Sequence, residues 1–240
     1  MTARTLWCMA VLTRVLSAQG APPAPSLRRE PAVTPGEAVV LGLTTLATVA
    51  VIPVDQRMAV WMRDSAQHGS PSIDNLFTGG RLFGSPGSIV LGAALWAGGA
   101  LANDNTTAID GLRSLEAVGV ASLITILVKR IVGRARPSAS NSDARNFSLG
   151  RGFGGGADYL SFPSGHATAA FAFASAITAR VSQRSSSQAL WLGPLLYGAA
   201  TVTGVSRLYD GSHWFSDVVM GAGIGTVTGL LLVRHLDHRP

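Results

Sequence analysis

Six long apolar segments dominate this chain and restrict what it can fold into. They run over residues 37 to 54, 88 to 103, 108 to 131, 165 to 183, 188 to 206 and 214 to 235, and each is rich in Ala, Leu, Val and Gly. Lengths of roughly 16 to 24 residues exceed ordinary strands, and period-two alternation is absent, so each segment is predicted to be a helix. Val39 to Val54 and Val218 to Val233 carry no charge, as expected of helices that cross a lipid bilayer. Arg113, Glu116 and Arg180 interrupt the third and fourth segments, and a soluble bundle whose central helices are buried all round is the alternative. The expected fold is all-α, a transmembrane bundle of about six core helices.

Composition agrees. Charged residues make up 13% of the 240, about half the roughly 25% of an average soluble domain. A single cysteine, Cys8, excludes an intramolecular disulfide framework and a cysteine-based zinc site. The net charge of +6 comes almost wholly from arginine, and Lys129 is the one lysine. The arginines are dispersed, with Arg28 and Arg29 adjacent near the N-terminus, so no basic stripe suited to nucleic acid is present; a positively lined site for an anion fits better.

Residues 1 to 36 read as a leader and residues 37 to 236 as one domain. Arg4, the apolar stretch Leu6 to Leu12 and the small residues Ser17 to Ala21 resemble a secretory signal with a cut near Gly20, although Arg14 interrupts the pattern; a cytoplasmic leader is the other reading. Six spans put the 3–4 and 5–6 connections on one face. Arg180 and Arg184 in the 4–5 connection, with Arg234 and Arg239 in the tail, favour the opposite face as cytoplasmic, while a cleaved signal would invert the topology.

Three clusters stand in the connections. Lys129 to Pro137 lies just past the third segment, Ser161 to His166 opens the fourth, and Ser206 to Asp217 joins the fifth to the sixth. Phosphoryl transfer needs fixed cations around three charged oxygens, a nucleophile in line and an acid for the leaving oxygen. Lys129, Arg136 and Arg207 supply the cations, two of them with a bidentate fork. Ser164 and Gly165 stand at a helix start after Pro163, where backbone N–H groups can meet an anion. His213 and Asp217 are four apart, so a carboxylate can hold one ring nitrogen protonated and leave the other to attack. His166 is then left as general acid and, for the following water, general base.

The spacings Lys-x6-Arg-Pro, Pro-Ser-Gly-His and Ser-Arg-x5-His-x3-Asp, in this order, resemble the three signatures of the type 2 phosphatidic acid phosphatase family, which shares its site with vanadium haloperoxidases. The resemblance implies a metal-independent phosphatase without a cofactor, acting on a phosphorylated lipid, a phosphatidate-type ester or a polyprenyl diphosphate, from within the membrane. It implies a phosphohistidine at His213, leaving-group protonation by His166, orientation of the nucleophile by Asp217, and phosphate held by Lys129, Arg136, Ser164, Gly165 and Arg207. It also implies a multi-pass protein of the cell membrane whose site faces the outside. The alternatives are a periplasmic acid phosphatase, a haloperoxidase with vanadate as cofactor rather than inhibitor, and a non-enzymatic phospholipid-binding protein.

Other features are expected to be structural. Arg130 and Arg134 read as a charged helix end, Asp210 as a turn residue beside Gly211, and His235, Asp237 and His238 as an exposed tail. Gly152 to Gly156, without a following Gly-Lys-Ser/Thr, reads as a flexible loop rather than a nucleotide loop. His68 has no partner in sequence, and Trp61, Trp96, Trp191 and Trp214 fit either the core or a membrane interface.

Overall fold

A computed structural model describes residues 31–67, 69–140 and 143–237, which leaves most of the leader, His68 and His238 outside the described residues. The first of the described helices, α1 (Pro35–Val51), starts at a reciprocal cap: the Thr34 hydroxyl accepts from the Glu37 N–H, and the Glu37 carboxylate accepts from the Thr34 N–H at 2.7 Å. After a short turn come α2 (Asp55–Gln67) and α3 (Pro71–Leu82). A break at Phe83–Gly87, with Ser85 extended, precedes α4 (Ser88–Leu101). Then follow α5 (Asn105–Val132), α6 (Gly165–Ser182), α7 (Ser186–Tyr209) and α8 (Phe215–Asp237).

The six predicted segments correspond to α1 and α4 to α8, and the bundle is all-α as expected. Residues 55 to 87, expected to be a connection, instead form α2 and α3. Their polar residues hide the signal: α2 carries Asp55, Arg57, Arg63 and Asp64 among Val60, Trp61 and Met62. The predicted ends also move. Lys129 lies in the last turn of α5 rather than beyond it, and Arg207 in the last turn of α7.

The centre of the bundle is α6, packed between α5, α7 and α8. Its buried face is mostly alanine, from Ala167 to Ala176, which lets neighbouring backbones come close. Glycines at one-turn spacing on α8 meet it. A Cβ added at Gly221 would lie 2.6 Å from the Ser164 carbonyl oxygen, and one at Gly229 2.8 Å from that of Ala172. Gly225, between them, presses on the Thr168 carbonyl. Gly152 likewise lies against the Arg130 backbone, so this part of the glycine-rich loop serves close packing rather than flexibility.

Four helical stretches, Pro35–Gln67, Pro71–Leu101, Ser186–Tyr209 and Phe215–Asp237, are long and apolar enough to cross a membrane. Large apolar side chains cover their outer faces, among them Leu43, Leu46, Trp191 and Leu195. Trp61 and Trp96 are also exposed, while Trp214 is fully buried in the core.

Charge fastens the end of the bundle remote from the three motifs. Arg180 pairs with Asp110 at 2.8 Å and Asp237 at 2.6 Å, Arg184 with Asp110, and Arg113 with Asp237 and Glu116. Asp237 is therefore largely covered rather than part of an exposed tail, and Arg180 and Arg184 find acids contributed by α5 and α8. Gly225→Ala is expected to destabilise the fold by about 1–3 kcal/mol through overpacking. Gly98→Ala, where a Cβ meets open space, is expected to stabilise it by up to about 1 kcal/mol. Thermal unfolding of the two variants in detergent checks the opposite signs.

Candidate active site

The site is assembled at one end of α5, α6, α7 and α8. Gly133 ends α5 with φ +57, a left-handed conformation that glycine adopts without cost. The chain then turns back, and residues 134 to 140 and 143 to 164 fold across the helix ends. Arg136 N–H donates to the Asp158 carbonyl and Ser161 N–H to the Arg134 carbonyl. On the other side, Gly211 at φ +61 lets the α7–α8 turn wrap over the end of α7, where the N–H groups of Ser212 and His213 both donate to the Arg207 carbonyl.

These two turns bring the predicted residues together. Lys129 donates from Nζ to the carbonyls of Leu160, at 2.5 Å, and Ser161, at 3.1 Å, which fixes its ammonium under the loop leading into α6. Arg136 is half-buried and donates from Nε to the Ala157 carbonyl. Arg207 donates to Asp210 and to the Ser212 hydroxyl, and its Nε is buried without a partner. His166, in the first turn of α6, has Arg207, Lys129, Arg136 and Asp210 as charged neighbours. Gly84, in the break between α3 and α4, packs against its ring, where a Cβ would come within 3.1 Å of the His166 Cβ.

Ser164 caps α6 through its hydroxyl, but its own N–H donates to the Asp217 carbonyl at 2.9 Å and is not available to an anion. The first-turn N–H groups of Gly165 and His166, which have no acceptor within the helix, remain in that role. The helix start was legible in the sequence, but this crosslink to α8 was not.

His213 is 4% exposed and stands in the turn before α8. Its Nδ1 faces Asp217 Oδ2 at 3.5 Å, within ion-pair reach but longer than a hydrogen bond. Burial pushes the imidazole down to about 3, against the pull of Asp217 and with Lys129 and Arg136 adding to the depression. The ring is therefore neutral across the physiological range, as a nucleophile must be.

Asp217 is held on every side. Oδ2 accepts from the Ser161 hydroxyl at 2.5 Å and the Trp214 N–H at 2.9 Å, and Oδ1 accepts from Arg134 at 2.6 Å. Arg134 is the residue that sequence reasoning misplaced. It is not a charged helix end but wholly buried, and it also donates to Asp55 at 2.7 Å, to the Ser216 hydroxyl and to the Ala144 carbonyl. Its guanidinium lies 4.6 Å from the Phe147 ring centroid and 5.3 Å from that of Trp214. Asp55 accepts in addition from the Ser216 N–H and hydroxyl. Asp210, expected to be only a turn residue, pairs with both Arg207 and Arg81. His235 bonds within α8, to the Leu231 carbonyl.

A buried neutral histidine facing a fixed carboxylate, a second histidine, and three cations at a helix start can support phosphoryl transfer through a covalent histidine. Comparison with known proteins identifies the superfamily. The sequence model of the PAP2 superfamily matches residues 110–239, more than half of the chain, and the chain belongs to that superfamily. It is 37% identical over 89 residues to a lipid A 1-phosphatase of Porphyromonas gingivalis, covering 37% of this chain and 19% of that protein. It is 35% identical over 114 residues to a lipid A 1-phosphatase of Rhizobium etli, covering 46% and 44%. The chain thus spans less than half the length of these curated relatives. The fold is shared with a transmembrane PAP2 type phosphatidylglycerolphosphate phosphatase of Bacillus subtilis, with a TM-score of 0.63 at 20% identity over 84% of this chain and 95% of that one. Four apolar helical stretches of spanning length among the described residues mark the chain as a membrane protein.

Arg134→Gln strips two buried carboxylates of their shared counter-charge and is expected to cost about 3–5 kcal/mol. Arg134→Lys is expected not to restore it, because a single ammonium cannot replace a fork that reaches Asp55, Asp217, Ser216 and Ala144 together. Thermal unfolding in detergent reads both, and an unchanged midpoint for Arg134→Gln would contradict the arrangement.

Proposed function

We propose that this protein is a lipid phosphate phosphatase that hydrolyses a phosphomonoester or diphosphate through a phosphohistidine at His213, without a metal. The observation that carries this reading is the facing of buried His213 and anchored Asp217 within the cationic set of Lys129, Arg136 and Arg207. With Nδ1 turned toward Asp217, Nε2 attacks phosphorus. The bond from phosphorus to the leaving oxygen breaks as His166, entering this step as the imidazolium that the negative charge of bound substrate favours, gives that oxygen a proton and is left neutral. In the second half, His166 takes a proton from water, the water oxygen attacks phosphorus, and the P–N bond breaks to release phosphate and free His213. Lys129, Arg136, Arg207 and the N–H groups at the start of α6 hold the phosphoryl oxygens throughout.

The relatives' activities support a lipid substrate, including a phosphate carried on a glycolipid. The apolar outer faces of the bundle support a multi-pass position in the cell membrane. All three motifs lie at one end of the bundle, in the α5–α6 and α7–α8 connections and the helix turns beside them, as an outward-facing site would need. Vanadate, which matches the trigonal phosphoryl group, is proposed as an inhibitor of the same site.

Phosphate release from short-chain phosphatidate and from a water-soluble ester, measured on detergent-extracted membranes with chelator present, tests the reading. Release is expected to resist chelator, to favour the lipid and to be abolished in His213→Ala. His166→Ala is expected to lose about 10²- to 10⁴-fold. Normal turnover in His213→Ala would overturn the assignment.

A further inference from the structure

α3 lies outside the region matched by the superfamily model, yet three of its successive turns grip the end of α7 where Arg207 stands. Asp74 accepts from the Tyr209 hydroxyl at 2.7 Å, and the Phe77 ring lies 4.6 Å from that of Tyr209. Arg81 donates through one terminal nitrogen to Asp210 Oδ1 at 2.5 Å and through the other to the Thr78 hydroxyl. The second oxygen of Asp210 accepts from Arg207 at 2.8 Å, and the remaining terminal nitrogen of Arg207 donates to Ser212. Arg81, Asp210 and Arg207 therefore form a continuous chain from the surface of α3 to the phosphate site.

A carboxylate beside an anion-binding site repels the substrate, so its presence there calls for a reason. A turn next to Gly211 does not supply one, since asparagine serves such a turn equally well. What the charge adds is a directed hold on a guanidinium: Asp210 and Ser212 each take one terminal nitrogen of the Arg207 fork and fix its plane. Arg81 balances the charge of Asp210 and limits its pull.

We propose that Asp210, held by Arg81, is a positioning residue that orients Arg207 toward the transferring phosphoryl group, so that α3 tunes the rate of the reaction. The proposal rests on the reading of Arg207 as a phosphate-holding residue. It applies to the transition state more than to substrate capture, because a misdirected fork still attracts an anion but no longer matches the oxygens as charge shifts.

Steady-state release of phosphate from dioctanoyl phosphatidate by the full chain in detergent tests it, with wild type, His213→Ala, Asp210→Asn, Asp210→Glu, Arg81→Gln and the Arg81→Gln, Asp210→Asn double variant. Asp210→Asn is expected to lower kcat about tenfold or more with KM changed less than about twofold, the signature of an interaction made in the transition state. Arg81→Gln is expected to lower kcat less. The double variant should fall no lower than Asp210→Asn alone, since Arg81 acts only through Asp210. Asp210→Glu should recover part of the rate. Asp210 and Arg81 are partly exposed, so the unfolding midpoints should stay near wild type. Unchanged kcat in Asp210→Asn, losses that multiply in the double variant, or a shifted pH profile with full maximal rate would overturn the positioning role alone. Equal release by wild type and His213→Ala would overturn the phosphatase reading and this proposal with it.

Discussion

Arg134, enclosed without solvent between Asp55 and Asp217, is the interaction on which the site depends. Two buried carboxylates are costly unless a cation and hydrogen bonds compensate them. Here one guanidinium serves both, and Ser161, Ser216 and the Trp214 N–H take up the other lone pairs. The three charged residues come from the start of α2, the chain just past α5 and the first turn of α8. No one of these elements can shift without opening the cluster, and His213 is aimed by the outcome. His213 sits in a turn, but the Trp214 N–H and Asp217 tie that turn to the buried ion cluster, an arrangement suited to holding a nucleophile in register.

Small residues and charges divide the work along the bundle. Alanines of α6 and glycines of α8 bring backbones close in the middle, where the buried hydroxyls of Thr125, Thr168 and Ser175 bond within the bundle. At one end the packing gives way to the cations Lys129, Arg136 and Arg207; at the other, Arg113, Arg180 and Arg184 are matched by Asp110, Asp237 and Glu116. Among the described residues, Arg113, Arg180 and Arg184 at one end of the bundle are thus paired within the protein, while Lys129 and Arg136 at the other bond to backbone carbonyls rather than to acids.

Much of this was legible in the sequence for a physical reason. Apolar length reveals core helices, and phosphoryl chemistry demands particular side chains at particular helix ends, so Lys129, Arg136, His166, Arg207, His213 and Asp217 could be assigned roles before the fold was known. What sequence did not disclose depends on partners distant in the chain. Arg134 resembled a helix-end charge because Asp55 lies far upstream, and Asp210 resembled a turn residue because Arg81 belongs to a helix whose polar residues concealed it. The Ser164 N–H was expected at the anion, and its use by the Asp217 carbonyl follows from how α8 docks on α6, which no local pattern records.

The central claim is that His213 becomes covalently phosphorylated. Acid-avoiding rapid quench of the purified protein with a phosphorus-labelled lipid phosphate, followed by mass spectrometric mapping, tests it most directly. One phosphoryl group on the peptide containing His213, stable to base, labile to acid and absent in His213→Ala, is the predicted result. Full turnover with no label on the protein, or a label on Ser164 or His166 in its place, would contradict the account.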